Sequence, residues 1–236
     1  MSYFNTLKSI ANKNGYCLFA LIDPDLKYDS RIETMLDTIH NSNFDAILVG
    51  GSKISDNNIS KRINYIQQNT HLPIILFPGS SRQITGDIKA LLYLNLISGR
   101  NPKYLIEEQV AGANKIYDNN IETIPTAYIL LEGGNDTSVS IVSQTEPLKM
   151  NRKELVLSHS LAGQYMGNKI LYFDCGSGST HSISKGLLSY ISEKVDIDIM
   201  VGGGIKSLSE VKSLHDKGAS FIVVGNALED NSYVNK

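Results

Sequence analysis

The chain has 236 residues, of which 42% are hydrophobic and 19% charged, and its formal net charge is −2. This length and composition are typical of one globular α/β domain with a full core, and so small a charge gives no electrostatic basis for binding nucleic acid. No apolar run approaches the ~18 residues that a membrane span requires, and the first residues lack the basic and then apolar layout of a signal peptide.

Short apolar runs alternate with amphipathic segments along the chain. Eight runs predict strands, at Cys17–Ile22, Ala46–Val49, Ile74–Phe77, Leu91–Leu94, Ala127–Leu131, Ile170–Phe173, Ile199–Val201 and Phe221–Val224. Because the runs are apolar almost throughout, we expect parallel strands covered on both faces. Segments with helical spacing and a polar face lie between them, at Ser30–Asn41, Asn57–Asn69, Pro102–Asn114, Lys153–Met166, Ser182–Lys194 and Ser207–Lys217.

This alternation predicts a TIM (β/α)8 barrel, with an open doubly wound sheet as the structural alternative. No linker divides the chain, so residues 1–236 are expected to form a single domain. The connections after strands three and five lack a strong helical pattern. The longer one, Glu132–Met150, is predicted to be either a functional loop at the catalytic end of the barrel or a solvated loop.

Two cysteines in a chain of this length do not make a disulfide framework. We therefore expect Cys17 and Cys175 to be free thiols and the protein to be cytoplasmic.

Glycine-rich turns follow the last three strands. They are Gly176-Ser177-Gly178, Gly202-Gly203-Gly204 and Gly225-Asn226. Glycines leave backbone N–H groups accessible, and a following helix adds partial positive charge, so such turns bind phosphate. In TIM barrels the phosphate site lies in the loops after strands seven and eight. The pattern favours an enzyme of phosphorylated small molecules over turns of purely structural importance.

Carboxylates and hydroxyls follow the first two strands, in Asp23-Pro24-Asp25 and Gly50-Gly51-Ser52. Mg²⁺ is often held by a carboxylate and a hydroxyl, with substrate phosphates completing its shell. Asp23 and Ser52 are therefore predicted metal ligands, with Asp25 as a further candidate. The alternative is that Asp-Pro-Asp is a turn and helix-capping sequence.

The motifs together extend through most of the chain. They are Leu21–Asp25, Val49–Ser52, Leu76–Ser80, Leu96–Ile106, Ile124–Leu130, Val142–Pro147, Tyr172–Gly178 and the two final glycine turns. In these segments the chain resembles the geranylgeranylglyceryl phosphate synthases and their bacterial heptaprenylglyceryl phosphate relatives. The segment Ser98–Pro102 and the long loop after strand five are similar to the longer, archaeal and Bacteroidetes-type branch.

The resemblance implies a prenyltransferase of phospholipid biosynthesis. Such an enzyme transfers a polyprenyl group, geranylgeranyl in this branch, from its diphosphate to the C3 hydroxyl of sn-glycerol 1-phosphate, and Mg²⁺ bridges the diphosphate to Asp23 and Ser52. The catalytic residues implied are Asp174 and Tyr172. The implied acceptor site consists of Tyr172, Phe173, Asp174, Cys175, Gly176, Ser177, Gly178, Gly203, Gly204, Gly225 and Asn226.

Further expectations concern the prenyl group and the partners. Tyr93, Tyr104 and Tyr128 are candidates to line the prenyl groove, although aromatic side chains at such positions more often fill a core. A long prenyl substrate implies peripheral contact with membrane lipid. An apolar barrel helix could also support a homo-oligomer.

Four positions depart from the family pattern. Asp174 replaces the usual Glu, Cys175 replaces a small residue, Ala127 replaces Gly, and Leu26 occupies a position where Lys is common, although Lys27 follows. Asp is one methylene shorter than Glu, and a displacement of ~1 Å can cost about a hundredfold in rate.

Three hypotheses follow from these departures. The chain catalyses the family reaction with Asp174 as base, it prenylates another phosphorylated acceptor such as phosphoglycerate, or it binds these ligands without turnover. Outside the family, a phosphate-binding barrel isomerase or aldolase is a weaker alternative. The strand ends offer few acid–base groups for it beyond Asp23, Asp25, Asp174 and Glu132.

Overall fold

The computed structural model describes residues 2–235 and forms a closed barrel of eight parallel strands in sequence order, with β8 paired to β1. The strands are β1 (Cys17–Ile22), β2 (Ala46–Val49), β3 (Ile74–Leu76), β4 (Ala90–Leu96), β5 (Glu122–Leu130), β6 (Ile170–Asp174), β7 (Asp198–Gly202) and β8 (Phe221–Val224). All eight predicted strands are present, and closure confirms the barrel and excludes the open sheet.

Helices follow the strands and surround the barrel. They are α1 (Tyr3–Asn14), α2 (Ile32–Asn41), α3 (Ile59–Gln68), α4 (Glu108–Asp118), α5 (Ser138–Ser143), α6 (Lys153–Tyr165), α7 (Lys185–Ser192), α8 (Leu208–His215) and α9 (Asn226–Glu229). Short 3-10 helices occupy Leu26–Arg31 and Ser81–Gln83, and a π-helical turn, Lys103–Glu107, leads into α4. The six predicted helices are confirmed, with shifted ends.

The helix α1 was not predicted. Ser2 caps it by accepting a hydrogen bond from the amide of Asn5. Its buried residues Phe4 and Leu7 join the core inside the barrel, where the Phe4 ring packs 6.5 Å from that of Phe221. The helix therefore covers the amino-terminal end of the barrel and leaves the carboxyl-terminal end for the site.

Strand residues alternate between two hydrophobic cores. In β1, Phe19 faces the barrel interior, whereas Leu18 and Ala20 face the helices. Both faces of each strand are thus buried, which explains why the strands are apolar almost throughout. Both cysteines are buried and free, as predicted.

The barrel is least regular between β3 and β4. These strands share one register pair, Leu76 with Leu91, because β3 ends while β4 continues to Leu96. The Leu94 carbonyl on this side accepts a hydrogen bond from the Gln109 side chain instead. The gap this leaves is the origin of the apolar groove described below.

The long connection after β5 is ordered. Leu131 pairs with Leu148, and the amide of Met150 donates to Oε1 of Glu132 at 2.9 Å, so the two ends of the loop meet. Thr137 and Ser140 cap the short helix α5 reciprocally. The loop is therefore a folded part of the catalytic end of the barrel. None of the helices among residues 2–235 is long and apolar enough to cross a membrane.

Candidate active site

A polar cavity of about 400 Å³ lies at the carboxyl-terminal ends of the strands. Its walls come from the loops after β1, β2, β5, β6, β7 and β8. An apolar groove of about 120 Å³ adjoins it in the gap between β3 and β4. The cavity and the groove share four lining residues, Gly51, Ser52, Phe77 and Val139.

Asp23 carries an unpaired carboxylate oxygen into the polar cavity. Its Oδ1 is buried and has no hydrogen-bond partner among residues 2–235. Burial, opposed by Lys27 and reinforced by Glu229 and Asp25, raises the pKa of Asp23 to about 6. A Cβ at Gly51 would lie 2.5 Å from Oδ1, so glycine there leaves room for the carboxylate. Ser52 lines the same cavity, so the structure brings the two predicted metal ligands together.

Asp25 has a structural role. Its Oδ1 accepts a hydrogen bond from the amide of Lys27 at 3.2 Å, and its Oδ2 accepts one from the amide of Ser55 at 2.7 Å. Burial tends to raise the pKa of Asp25, but these hydrogen bonds outweigh it and lower the pKa. With both oxygens engaged, Asp25 joins the loops after β1 and β2 and is a poorer metal ligand than Asp23.

A second link joins the same two loops. The buried guanidinium of Arg62, on α3, forms ion pairs with Asp29 in the loop after β1 and with Asp56 in the loop after β2. The Nη1 atom of Arg62 lies 2.6 Å from Oδ1 of Asp56. Because each carboxylate receives two hydrogen bonds from the planar guanidinium, the relative position of the loops that carry Asp23 and Ser52 is fixed.

The glycine turns adopt backbone conformations that favour glycine. Gly176, Gly203 and Gly204 have φ of 84°, 84° and 72°, values that L side chains rarely adopt. A Cβ at Gly204 would also lie 2.5 Å from the carbonyl carbon of His181. Among residues 2–235, no acceptor takes the amide hydrogens of Ser177, Gly204 or Asn226. These donors can therefore bind an anion.

Asn226 connects two of these turns through its side chain. Its Oδ1 accepts hydrogen bonds from the amide of Gly178 at 2.8 Å and from the hydroxyl of Ser177 at 3.2 Å. Its Nδ2 donates to the carboxylate of Glu229 and to the hydroxyl of Ser177, both at 3.1 Å. The turns after β6 and β8 are thus held side by side.

Asp174 is the acidic group nearest the end of β6. Its Oδ2 accepts a hydrogen bond from the hydroxyl of Tyr128, and its Oδ1 accepts one from the amide of Gly176 at 2.8 Å. Burial raises the pKa of Asp174, although both hydrogen bonds oppose this shift. The Tyr172 ring packs edge to face against Tyr128, with centroids 5.2 Å apart. A buried carboxylate with a raised pKa is suited to accept a proton.

The apolar groove runs from Ser52 towards the π-helical turn and α4. All three candidate tyrosines, Tyr93, Tyr104 and Tyr128, line it. The hydroxyl of Tyr104 donates to the carbonyl of Val142 at 3.3 Å, so the loop after β5 covers the groove. Tyr128 lines the groove while donating to Asp174, and it therefore connects the groove to the polar cavity.

The predicted acceptor residues differ in their position relative to the cavity. Phe173 and Cys175 alternate with Tyr172 and Asp174, so their side chains are buried against the helices and do not line the cavity. Gly178 does not line it either, because its amide donates to Asn226. The other predicted acceptor residues do line the cavity, and they are Tyr172, Asp174, Gly176, Ser177, Gly203, Gly204, Gly225 and Asn226.

The other two positions that depart from the family pattern, Ala127 and Leu26, lie apart from the glycine turns. Ala127 faces α6, where it lies beneath Gly163, and Leu26 is 56% exposed. Lys27 lines the cavity, which supports the idea that it serves in place of the lysine that is common at the position of Leu26. The sequence interpretation missed Tyr28 and Glu229. No motif marks these two, because they reach the cavity from 3-10 and α9 segments more than 200 residues apart in the chain.

Comparisons with known proteins agree with this architecture. The model of the PcrB family matches residues 10–236. The geranylgeranylglyceryl phosphate synthase of Flavobacterium johnsoniae is 42% identical over 224 residues, which cover 94% of this chain and 92% of that protein. The synthase of the same name from Pyrococcus furiosus is 32% identical over 212 residues, which cover 89% of this chain and 84% of the relative.

A solved structure has the same fold. It is (S)-3-O-geranylgeranylglyceryl phosphate synthase from Thermoplasma acidophilum in complex with its substrate sn-glycerol-1-phosphate. The two chains superpose with a TM-score of 0.89 at 30% sequence identity, over 97% of this chain and 92% of the other.

Proposed function

This chain belongs to the PcrB family, and on that premise we propose that it is a prenyltransferase that moves a geranylgeranyl group from its diphosphate to the C3 hydroxyl of sn-glycerol 1-phosphate. One observation carries the proposal: the apolar groove and the polar cavity meet at Ser52, Phe77 and Val139. A substrate with a long apolar tail and a charged head matches this junction. A barrel isomerase or aldolase of small phosphorylated sugars would have no use for such a groove.

The acceptor phosphate is assigned to the glycine turns. The backbone amides of Ser177, Gly204 and Asn226, which have no acceptor among residues 2–235, come from the loops after β6, β7 and β8 and together offer an anion three donors. Lys206 also lines this cavity and adds positive charge. The relative from Thermoplasma acidophilum binds sn-glycerol-1-phosphate, which supports this assignment.

The residues near Asp23 fit a divalent cation. Its buried, partnerless Oδ1 would be stabilised by a cation, and Ser52 offers a hydroxyl oxygen in the same cavity. Residues 2–235 contain no group of three His, Cys, Asp or Glu side chains placed to bind a metal, so substrate phosphate oxygens would supply the remaining ligands. Mg²⁺ held by Asp23 and Ser52 would neutralise the diphosphate and make it a better leaving group.

The chain's own residues account for the rest of the reaction. The glycine turns orient the acceptor, and Asp174 accepts the proton from its C3 hydroxyl. The C3 oxygen bonds to C1 of the prenyl group as the C1–O bond breaks, and that electron pair leaves with the diphosphate. Tyr172, whose pKa burial raises far above its ordinary value, remains protonated and can donate a hydrogen bond in the cavity.

A turnover assay tests the proposal directly. We expect turnover with sn-glycerol 1-phosphate, Mg²⁺ and geranylgeranyl diphosphate, and a series of prenyl lengths would define the groove. Turnover with phosphoglycerate alone would identify a different acceptor. Ligand-induced thermal stabilisation without any product would mean that the barrel binds both substrates but has lost activity.

We also propose a homo-oligomer that works in the cytoplasm beside membrane lipid. Ile106, Val110 and Tyr117 form an exposed apolar stripe along the π-helical turn and α4, with Tyr117 86% exposed. Such a stripe on a barrel helix favours contact with another copy. Mass photometry of the wild type and of a Val110→Asp variant tests this contact, since the variant should shift the population to smaller species.

A further inference from the structure

Glu229 is an acidic residue in the cavity that the proposed reaction does not use. It lies on α9, is half-buried and lines the same cavity as the glycine turns. A carboxylate close to a phosphate site disfavours anion binding by electrostatic repulsion, so its presence there calls for another role. Its contacts suggest what that role is.

One carboxylate oxygen of Glu229 accepts two hydrogen bonds from different elements. Its Oε2 accepts hydrogen bonds from the hydroxyl of Tyr28 at 3.2 Å and from Nδ2 of Asn226 at 3.1 Å. The ammonium of Lys27 lies over the Tyr28 ring, 4.5 Å from the ring centroid. In addition, Arg31 donates to the backbone carbonyl of Glu229 at 3.2 Å. The loop after β1 therefore fixes the position of α9.

The hydrogen bond from Asn226 to Glu229 stabilises one orientation of the Asn226 side-chain amide. Nδ2 donates to the Glu229 carboxylate and to the Ser177 hydroxyl, and Oδ1 accepts from the N–H of Gly178 and from the hydroxyl of Ser177. A rotated amide would place its NH₂ group against the N–H of Gly178, two donors facing each other. Glu229 and the N–H of Gly178 thus favour the same orientation of Asn226, the one in which its side chain holds the two turns together.

We propose that Glu229 is a positioning residue for the acceptor: through Asn226 it holds the turns after β6 and β8 at the spacing that binds the acceptor phosphate. Tyr28, in the loop that carries Asp23, holds Glu229 in place through its hydrogen bond. The acceptor site is therefore connected to the diphosphate side of the cavity. This inference rests on the proposed assignment of the glycine turns to the acceptor phosphate.

Two substitutions of Glu229 separate positioning from charge. Glu229→Gln removes the negative charge but keeps an oxygen that can accept from Asn226, whereas Glu229→Ala removes both. Positioning predicts that Glu229→Ala weakens binding of sn-glycerol 1-phosphate about tenfold, the size expected for one hydrogen bond to a charged group, and that Glu229→Gln stays within about threefold of the wild type. A purely electrostatic role predicts tighter binding in both variants.

Steady-state kinetics give an independent readout. The KM for the acceptor should rise in Glu229→Ala and stay near the wild-type value in Glu229→Gln. Glu193→Ala is the matched control, because Glu193 is 68% exposed and lies just after α7, outside the cavity lining. That variant should behave like the wild type in every assay.

A double-mutant cycle with Asn226→Ala tests whether Glu229 acts through Asn226. The double variant should bind the acceptor no more weakly than Asn226→Ala alone, whereas additive losses would overturn the inference. The same cycle measured by urea unfolding needs no ligand. If wild-type protein binds neither the acceptor nor inorganic phosphate while the unfolding cycle shows coupling, the proposed function fails and the positioning contact stands. If the wild type binds and Glu229→Ala matches it, the inference fails alone.

Discussion

The hydroxyl of Tyr128, on β5, donates a hydrogen bond to Oδ2 of Asp174, on the neighbouring strand β6. The same tyrosine ring lines the apolar groove. One residue thus contacts both the proposed base and the proposed path of the prenyl chain. Its hydroxyl influences the pKa of Asp174, and its ring forms part of the groove wall.

Removing that hydroxyl should change the pH dependence of the reaction. The hydrogen bond from Tyr128 stabilises the ionised form of Asp174 against the effect of burial, which raises its pKa. In Tyr128→Phe the pKa of Asp174 should rise further. Because a base is active above its pKa, the acid limb of the kcat profile should move to higher pH.

Tyr93→Phe provides the control for this measurement. Tyr93 also lines the groove, but its hydroxyl donates to the carbonyl of Gln109. The pH profile of this variant should match the wild type. An acid limb that is identical in Tyr128→Phe and the wild type would show that Asp174 does not limit the rate.

Substitutions of Asp174 itself test its role as the base. Asp174→Asn cannot accept the proton and should lower kcat by at least about a hundredfold. Asp174→Glu restores the length usual in the family and should raise turnover with sn-glycerol 1-phosphate, because the two hydrogen bonds from Tyr128 and Gly176 hold the shorter side chain against the end of β6. An unchanged rate in both variants would eliminate the role.

Binding of Mg²⁺ should depend on pH through Asp23. The pKa of Asp23 is raised to about 6, mainly by burial, so protons compete with the cation as the pH falls through that value. Calorimetric titration at pH 5 and pH 7.5, with a diphosphate analogue present, should show weaker binding at pH 5. Asp23→Asn should abolish the difference, whereas Asp216→Asn, an exposed residue after α8, should preserve it. Equal affinity at both pH values in the wild type would count against Asp23 as a ligand.

Alanine substitutions at two glycines with similar φ angles distinguish the cost of backbone strain from the cost of a steric clash. Gly178 and Gly204 have φ of 76° and 72°, but a Cβ at Gly178 would meet no atom of residues 2–235 within 4 Å, whereas one at Gly204 would lie 2.5 Å from His181. Gly178→Ala should cost about 1 kcal/mol of unfolding free energy from its left-handed backbone alone. Gly204→Ala should cost more and should also weaken acceptor binding, because the turn after β7 must move. Urea denaturation and calorimetry check both effects, and equal losses in the two variants would contradict the steric argument.

The regular parts of this fold could be predicted from the sequence. Strands buried on both faces are apolar almost throughout, and glycine turns at their ends are typical of phosphate sites in TIM barrels, so β6, β7, β8 and the turns that follow them were recognisable. The predicted acceptor motif includes Phe173 and Cys175 because it is contiguous in sequence, whereas alternate side chains of a strand point to opposite faces, so the side chains of these two residues lie away from the cavity. Of the residues in β6, Tyr172 and Asp174 line the cavity.

The sequence by itself determined the order of the elements, the barrel class and the chemistry offered at the strand ends. The tertiary structure decided which of those groups meet. The groove exists because β3 stops at Leu76 while β4 continues, and the contact between Tyr28 and Glu229 joins residues 201 positions apart. Local periodicity reports which side of an element is buried, but strand pairing and barrel closure arise from packing between distant segments, and these bring carboxylates, hydroxyls and backbone amides together into one site.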